Sequence, residues 1–407
     1  MTRPGQLPDS LPESLVEFDR ATDGGGEPPP SAALLPSGLR DVLPPEAETE
    51  ARAIETMMGI FAAHGYDRVK PPLLEFEDSL FGGSGAAVAG QAFRLMDPDT
   101  HRMMGLRPDM TPQVARIAAT RLRRAPRPLR LAYAGPCVLL HGATLDPERQ
   151  VSQAGIELIG IDDPRADAEI VAVAAEALDA LNVPRVSFDL TLPRLAAVMI
   201  EQAGLGLDQR RRLLHALDRK DAAIVAREGG PLAGVLGDLL LSAGPVPRAL
   251  AMLMAAPLTG EARRLAERLE ASVQAIRARL PLATLTLDPV DFRGWQYHTG
   301  VSVTVYAGRE QVGRGGQYVG GADEPACGLT LRPEALLRAA PARPARPRVW
   351  VPASAIGQAE ALRAQGFVTI AGFDSGAACS DAPGDDIAEA ARLGCTHILR
   401  DGQAWPM

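Results

Sequence analysis

No apolar run in the chain approaches the ~20 residues that a membrane-spanning helix needs. The opening Met1-Thr2-Arg3-Pro4-Gly5 has no apolar stretch of the kind a secretory signal requires. Both absences argue against the membrane and the secretory route. Cysteines are scarce and unpaired. Cys137, Cys327, Cys379 and Cys395 lie far apart, with no Cys-x-x-Cys among them. That pattern fits reduced thiols in a cytoplasmic protein and excludes a disulfide frame or a zinc site, so no metal is expected. Positive charge is not in excess either. A net charge of −8 argues against a broad nucleic-acid surface, which needs clustered Lys and Arg to release counterions. One basic run does occur, at Arg121, Arg123, Arg124, Arg127 and Arg130. A solvated helix end and turn accounts for it.

What is present is apolar mass. Hydrophobic residues make up 46% of 407, enough for a large core and roughly two to three structural units. Residues 1–34 read as a disordered N-terminal extension, because Gly24-Gly25-Gly26 and Pro28-Pro29-Pro30 offer little to bury. Residues 35–345 read as one core. Ile54, Met57, Met58 and Phe61 recur at helical spacing between Glu46 and His64, and Gly65 stops that helix. Tyr66 to Leu74 reads as a strand ending in prolines, suited to an edge. Short strands are expected at Phe93–Met96, Arg102–Leu106, Leu129–Ala134 and Gln153–Ile161, with helices at Thr111–Leu122 and Ala166–Leu181. Residues about 190–282 read as a helical insertion. Strand character returns at Thr284–Asp288, Val301–Ala307 and Gln311–Gly313. Residues 346–407 alternate strand and helix as a small α/β unit. The expected class is therefore α+β, an antiparallel sheet core that the chain leaves for a helical excursion and rejoins.

Four segments carry chemistry: Leu106–Arg116, Glu148–Gly160, Asp291–Gly300 and Gly313–Tyr318. Asp109, Gln153 and Glu157 can accept hydrogen bonds from an ammonium group, and Thr111 can add another. Each buried charge-assisted bond of this type contributes about 1.5–3 kcal/mol. The even spacing of Gln153 and Glu157 puts both on one face of a strand. Arg293 offers a planar fork to a carboxylate. Tyr297 and His298 can line a flat ring, and Gly300, Gly315 and Gly316 let backbone approach a ligand closely. His101 and His141 read as surface or strand histidines, and Cys327 as packing. The Gly313–Gly316 run lacks the Lys-Ser/Thr ending of a phosphate loop.

In this order, the four segments resemble the histidine-specific part of histidyl-tRNA synthetase, over about residues 36–340. Pro36 to Pro44 is similar to that family's opening, Gly65 to Pro72 to its dimer-forming first motif, and Arg293 to Gly300 to its histidine-recognition loop. The resemblance implies a class II synthetase-like sheet and a histidine-like pocket of Asp109, Thr111, Gln153, Glu157, Arg293, Tyr297 and His298. Two departures matter. The family's second motif holds the α-phosphate with an arginine where Leu139 stands, and its third motif ends in an arginine where Ala335 stands. Arg332 falls three residues early. Residues 346–407 are also short for an anticodon-binding domain. These losses resemble a non-catalytic branch, the regulatory subunits of ATP phosphoribosyltransferase, the first enzyme of histidine biosynthesis. That branch implies no catalytic residues and no cofactor. It implies a short-form catalytic subunit as partner, a homodimer within a hetero-oligomer, L-histidine as ligand, and no tRNA. The rival expectation is a divergent, active histidyl-tRNA synthetase-like ligase.

Overall fold

A computed structural model describes residues 34–142, 147–291, 298–341, 345–373 and 383–407. The expected extension at 1–34 therefore lies almost wholly outside the described residues.

The chain opens with α1 (Glu46–Ala63), whose Met57, Met58 and Phe61 are buried. Gly65 ends it in the left-handed region at φ +79°. There the N–H groups of Gly65 and Tyr66 reach back to Ala62 O at 2.9 Å and Phe61 O at 3.1 Å, satisfying the last carbonyls. Next come β1 (Asp67–Arg68), β2 (Leu74–Phe76), α2 (Glu77–Leu80), β3 (Arg94–Met96), β4 (Met103–Leu106) and α3 (Thr111–Thr120). Two long strands follow, β5 (Leu129–Val138) and β6 (Gln150–Ile159), then α4 (Pro164–Ala180) and β7 (Val186–Thr191). The helical excursion comprises α5 (Leu195–Gln202), α6 (Leu207–Asp218), α7 (Ala222–Glu228), α8 (Ala233–Ser242), the short β8 (Gly244–Pro245), α9 (Val246–Ala255) and α10 (Gly260–Arg279). The chain returns through β9 (Thr284–Asp288), β10 (His298–Ala307), β11 (Glu310–Val319), β12 (Pro325–Leu331) and α11 (Pro333–Ala339).

Nine of these strands form one sheet, in the order β1-β5-β6-β12-β11-β10-β7-β9-β8. Its middle, from β5 to β7, is antiparallel throughout. The class is α+β, as expected. Both faces are covered, so the central strands are buried along most of their length. Ala154, Ile156 and Leu158 of β6 join the larger core beneath α1 and α4. Val151 and Ile159, on the other face, join a smaller cluster with Met110 and Val114 near α3. Gln153 and Glu157 share that second face and are its polar exceptions.

The 66–74 segment differs from expectation. Only Asp67–Arg68 pairs, parallel to β5 at the sheet edge. Pro71 and Pro72 have no N–H to give a ladder, and Leu74–Phe76 belongs to a separate three-stranded sheet with β3 and β4. The glycine-rich stretch after Gly313 continues the strand as part of β11. Added Cβ atoms at Gly315 and Gly316 would collide with neighbouring strand backbone, so glycine marks close strand contact here. A four-stranded sheet closes the chain: β13 (Arg348–Val351), β14 (Val368–Ala371), β15 (His397–Arg400) and β16 (Gln403–Pro406), with α12 (Ala359–Ala364) and α13 (Pro383–Arg392) between them. Periodicity did not foretell β16.

Candidate ligand-binding site

The start of α3 is fixed before any ligand is considered. Arg107, 4% exposed, donates from Nε to Pro136 O at 2.8 Å and from Nη1 to Pro71 O at 3.0 Å. Gln113 donates to Pro72 O at 2.8 Å and to Glu75 Oε1 at 2.9 Å. Arg116 pairs with the same Glu75 carboxylate. The two prolines thus offer carbonyls that side chains of the 107–116 segment collect. Arg107→Ala strips the donors from Pro71 O and Pro136 O at once. It is expected to cost about 3 kcal/mol in urea unfolding; a loss below about 1 kcal/mol would show that these ties do not hold the segment.

On that support, four expected residues come together. Thr111 Oγ1 donates to Glu157 Oε1 at 2.9 Å. Gln153 Oε1 accepts from Met110 N at 3.0 Å. Asp109 Oδ1 accepts from Thr111 N at 3.3 Å. Asp109, Thr111, Gln153 and Glu157 are all buried. His298 is cross-strand partner to Tyr318 on β11, and Tyr318 OH donates to Glu157 Oε2 at 2.8 Å. Arg293 and Tyr297 lie outside the described residues.

The cluster contains members that motif reading missed. Tyr133 OH donates to Glu157 Oε1 at 3.1 Å and lies 2.7 Å from Thr330 Oγ1. Tyr318 was quoted within its segment but given no role. The signal was in the opposite strands. A Cβ at Gly155 would strike the Tyr133 hydroxyl, and one at Gly328 would strike the Glu157 carboxylate. Glycine facing a large polar side chain across a ladder marks the space that side chain needs.

Burial drives the electrostatics. It pushes Glu157 up to about 8, against the pull of the hydroxyls of Tyr318, Thr111 and Tyr133, and the Asp109 charge adds to the rise. His298 is pushed down to about 3 by burial and by Arg314, so its ring is neutral at ordinary pH. Ser302 Oγ donates to Gly315 O at 3.0 Å and lies 3.3 Å from His298 Nδ1.

Glu157 gives a pH prediction. Its folded value lies above the unfolded 4.5, so the folded state binds the extra proton, and stability falls as pH rises from about 4.5 to about 8. Between pH 6 and 8 this group alone removes about 2–3 kcal/mol. Urea unfolding of the Glu157→Gln variant is expected to lose that slope; an unchanged slope would assign the titration elsewhere.

The basic run divides. Arg121, Arg123 and Arg124 are exposed, as expected of a solvated turn. Arg127 pairs with Glu324 at 2.9 Å and Arg130 with Glu169 at 2.7 Å. His101 and His141 are exposed. Cys327 is buried in the large core.

The family model for histidyl-tRNA synthetase matches residues 38–336. An ATP phosphoribosyltransferase regulatory subunit from Gluconobacter oxydans (strain 621H) is 54% identical over 381 residues, 93% of this chain and 98% of that protein. This chain belongs to the family of ATP phosphoribosyltransferase regulatory subunits. A second relative of that name, from Paramagnetospirillum magneticum, is 51% identical over 370 residues, 90% of this chain and 96% of that one. The crystal structure of an ATP phosphoribosyltransferase regulatory subunit/histidyl-tRNA synthetase from Bacillus halodurans superposes with a TM-score of 0.75. It is 22% identical and covers 91% of this chain and 98% of that one. At that identity the likeness speaks to the fold alone. In this regulatory-subunit chain, Leu139 packs against the Met110, Val114 and Cys137 cluster. Ala335 is 1% exposed in the large core. Both places where the synthetase resemblance puts arginines are apolar contacts. Among the described residues no helix is long and apolar enough to cross a membrane.

Proposed function

We propose that the chain is the non-catalytic, activating subunit of an ATP phosphoribosyltransferase, acting in the first step of L-histidine biosynthesis. Its partner is a short-form catalytic subunit. This chain forms a homodimer within the hetero-oligomer, binds L-histidine as feedback ligand, and does not handle tRNA. The observation that carries the reading is the asymmetry of the site. A buried acceptor cluster of Asp109, Thr111, Gln153 and Glu157 is kept, while the nucleotide side offers Leu139 and Ala335. Activating an amino acid with ATP is chiefly phosphate positioning and charge stabilisation, and neither residue supplies it. On the synthetase resemblance we assign the pocket's carboxylate partner to Arg293 and its two rings to Tyr297 and His298. Feedback follows if histidine prefers the assembly state in which the catalytic subunit is less competent. The test mixes the chain with a short-form catalytic subunit and follows phosphoribosyl-ATP formation and co-elution. Stimulation with co-elution is expected; neither one appearing sinks the proposal.

A further inference from the structure

A second cleft, of about 380 Å³, lies on the reverse face of the sheet, against α4, α10, β11 and β12. Asp162, Asp167, Arg264, Arg268 and Gln317 are in its lining. Asp167 sits in the first turn of α4, with a side chain only 6% exposed. Three donors hold its carboxylate: Ser272 Oγ at 2.6 Å, Gln317 Nε2 at 2.7 Å and Arg268 Nη2 at 3.2 Å. All three fall on Oδ2, and Oδ1 takes no donor from the described residues. Arg268 spends Nη1 on Asp162 at 2.9 Å, and its Nε is buried without an acceptor among the described residues. Arg264, one helical turn earlier on α10, is exposed and has no ion-pair partner among the described residues. Burial also pushes the Asp167 carboxyl above its usual range. A carboxylate oxygen short of a donor on a buried side chain, in a cleft that an exposed, unpaired guanidinium also lines, is an arrangement that a ligand carrying both charges completes.

We propose that this cleft is a second small-molecule site, for a compact zwitterion of the free-amino-acid class. Asp167 Oδ1 receives the ammonium or another N–H donor, and Arg264 at the mouth meets the carboxylate. The site stands back to back with the Glu157 cluster. Side chains alternate along β11, so Gln317 faces Asp167 while the adjacent Tyr318 faces Glu157. A ligand charge placed on Oδ1 weakens the hold of the same carboxylate on Gln317, and β11 carries the adjustment to Tyr318. Only this coupling rests on the proposed histidine pocket; the cleft does not.

The test is calorimetric titration of the full chain with each proteinogenic amino acid in turn, L-histidine included. Wild type is compared with Arg264→Ala, Asp167→Asn and Glu157→Gln. At least one amino acid is expected to bind wild type and Glu157→Gln alike, and to lose about ten-fold or more in affinity in Arg264→Ala and Asp167→Asn. Arg264 is exposed, so its variant keeps the fold even if Asp167→Asn does not. If no amino acid shows binding that Arg264→Ala weakens, the second site is overturned. If Glu157→Gln weakens histidine and no amino acid is weakened in the cleft variants, this site is overturned and the histidine pocket spared; if histidine binding is unchanged in Glu157→Gln while the cleft variants weaken a ligand, the reverse holds.

Discussion

Histidine-dependent ATP–pyrophosphate exchange by this chain is expected to fall about 10⁴-fold or more below that of an active synthetase. Each positioned donor on a transferring group contributes about 10²–10³ in rate, and on the synthetase resemblance Leu139 and Ala335 stand in place of two. Leu139 is packed among apolar neighbours, with its N–H held by Arg149 O at 2.7 Å. Ala335 is 1% exposed, so no space waits there for a guanidinium. Arg332 falls three residues before that place. It precedes Pro333 at the start of α11 and gives its N–H to Val312 O at 2.9 Å. The double variant Leu139→Arg, Ala335→Arg is accordingly expected to leave exchange absent, since a buried charge at Ala335 disturbs the core before it reaches a phosphate. Wild-type exchange within about 100-fold of a synthetase, measured with labelled pyrophosphate, would favour the rival reading of an active ligase.

The second large effect concerns Glu157. This carboxyl is pushed up to about 8, so it is mostly protonated at neutral pH. A ligand bringing a positive charge or an N–H donor stabilises the carboxylate form. Histidine binding should therefore release protons near pH 7, and the calorimetric enthalpy should vary with the ionisation enthalpy of the buffer. Glu157→Ala removes the acceptor and is expected to weaken histidine by about 30- to 150-fold, the equivalent of about 2–3 kcal/mol. Tyr133, Thr111 and Tyr318 lose their shared acceptor at the same time, so the variant's unfolding must be followed in parallel. Unchanged histidine affinity in a folded Glu157→Ala would remove Glu157 from the pocket.

Much of this was legible because single residues carry it. The spacing of Met57, Met58 and Phe61 gave α1, and Gly65 gave its end. The even spacing of Gln153 and Glu157 placed both on one face of β6. The 66–74 segment misled because its apolar content suits a strand, while Pro71 and Pro72 deny it a ladder and turn their carbonyls toward Arg107 and Gln113. Tyr133 escaped notice because nothing local marks it. Its role arises from Gly155 and Glu157 on the neighbouring strand, and such register is a tertiary fact. The Asp167 cleft was invisible for the same reason, since α4, α10 and β11 meet only in the fold.

Calorimetry with L-histidine and with ATP, on wild type and on Glu157→Ala, tests the central claim most directly. The account predicts saturable histidine binding that Glu157→Ala weakens, and no ATP binding with or without histidine. ATP binding that tightens with histidine would contradict it, because it would mean that the nucleotide side of the site is still furnished.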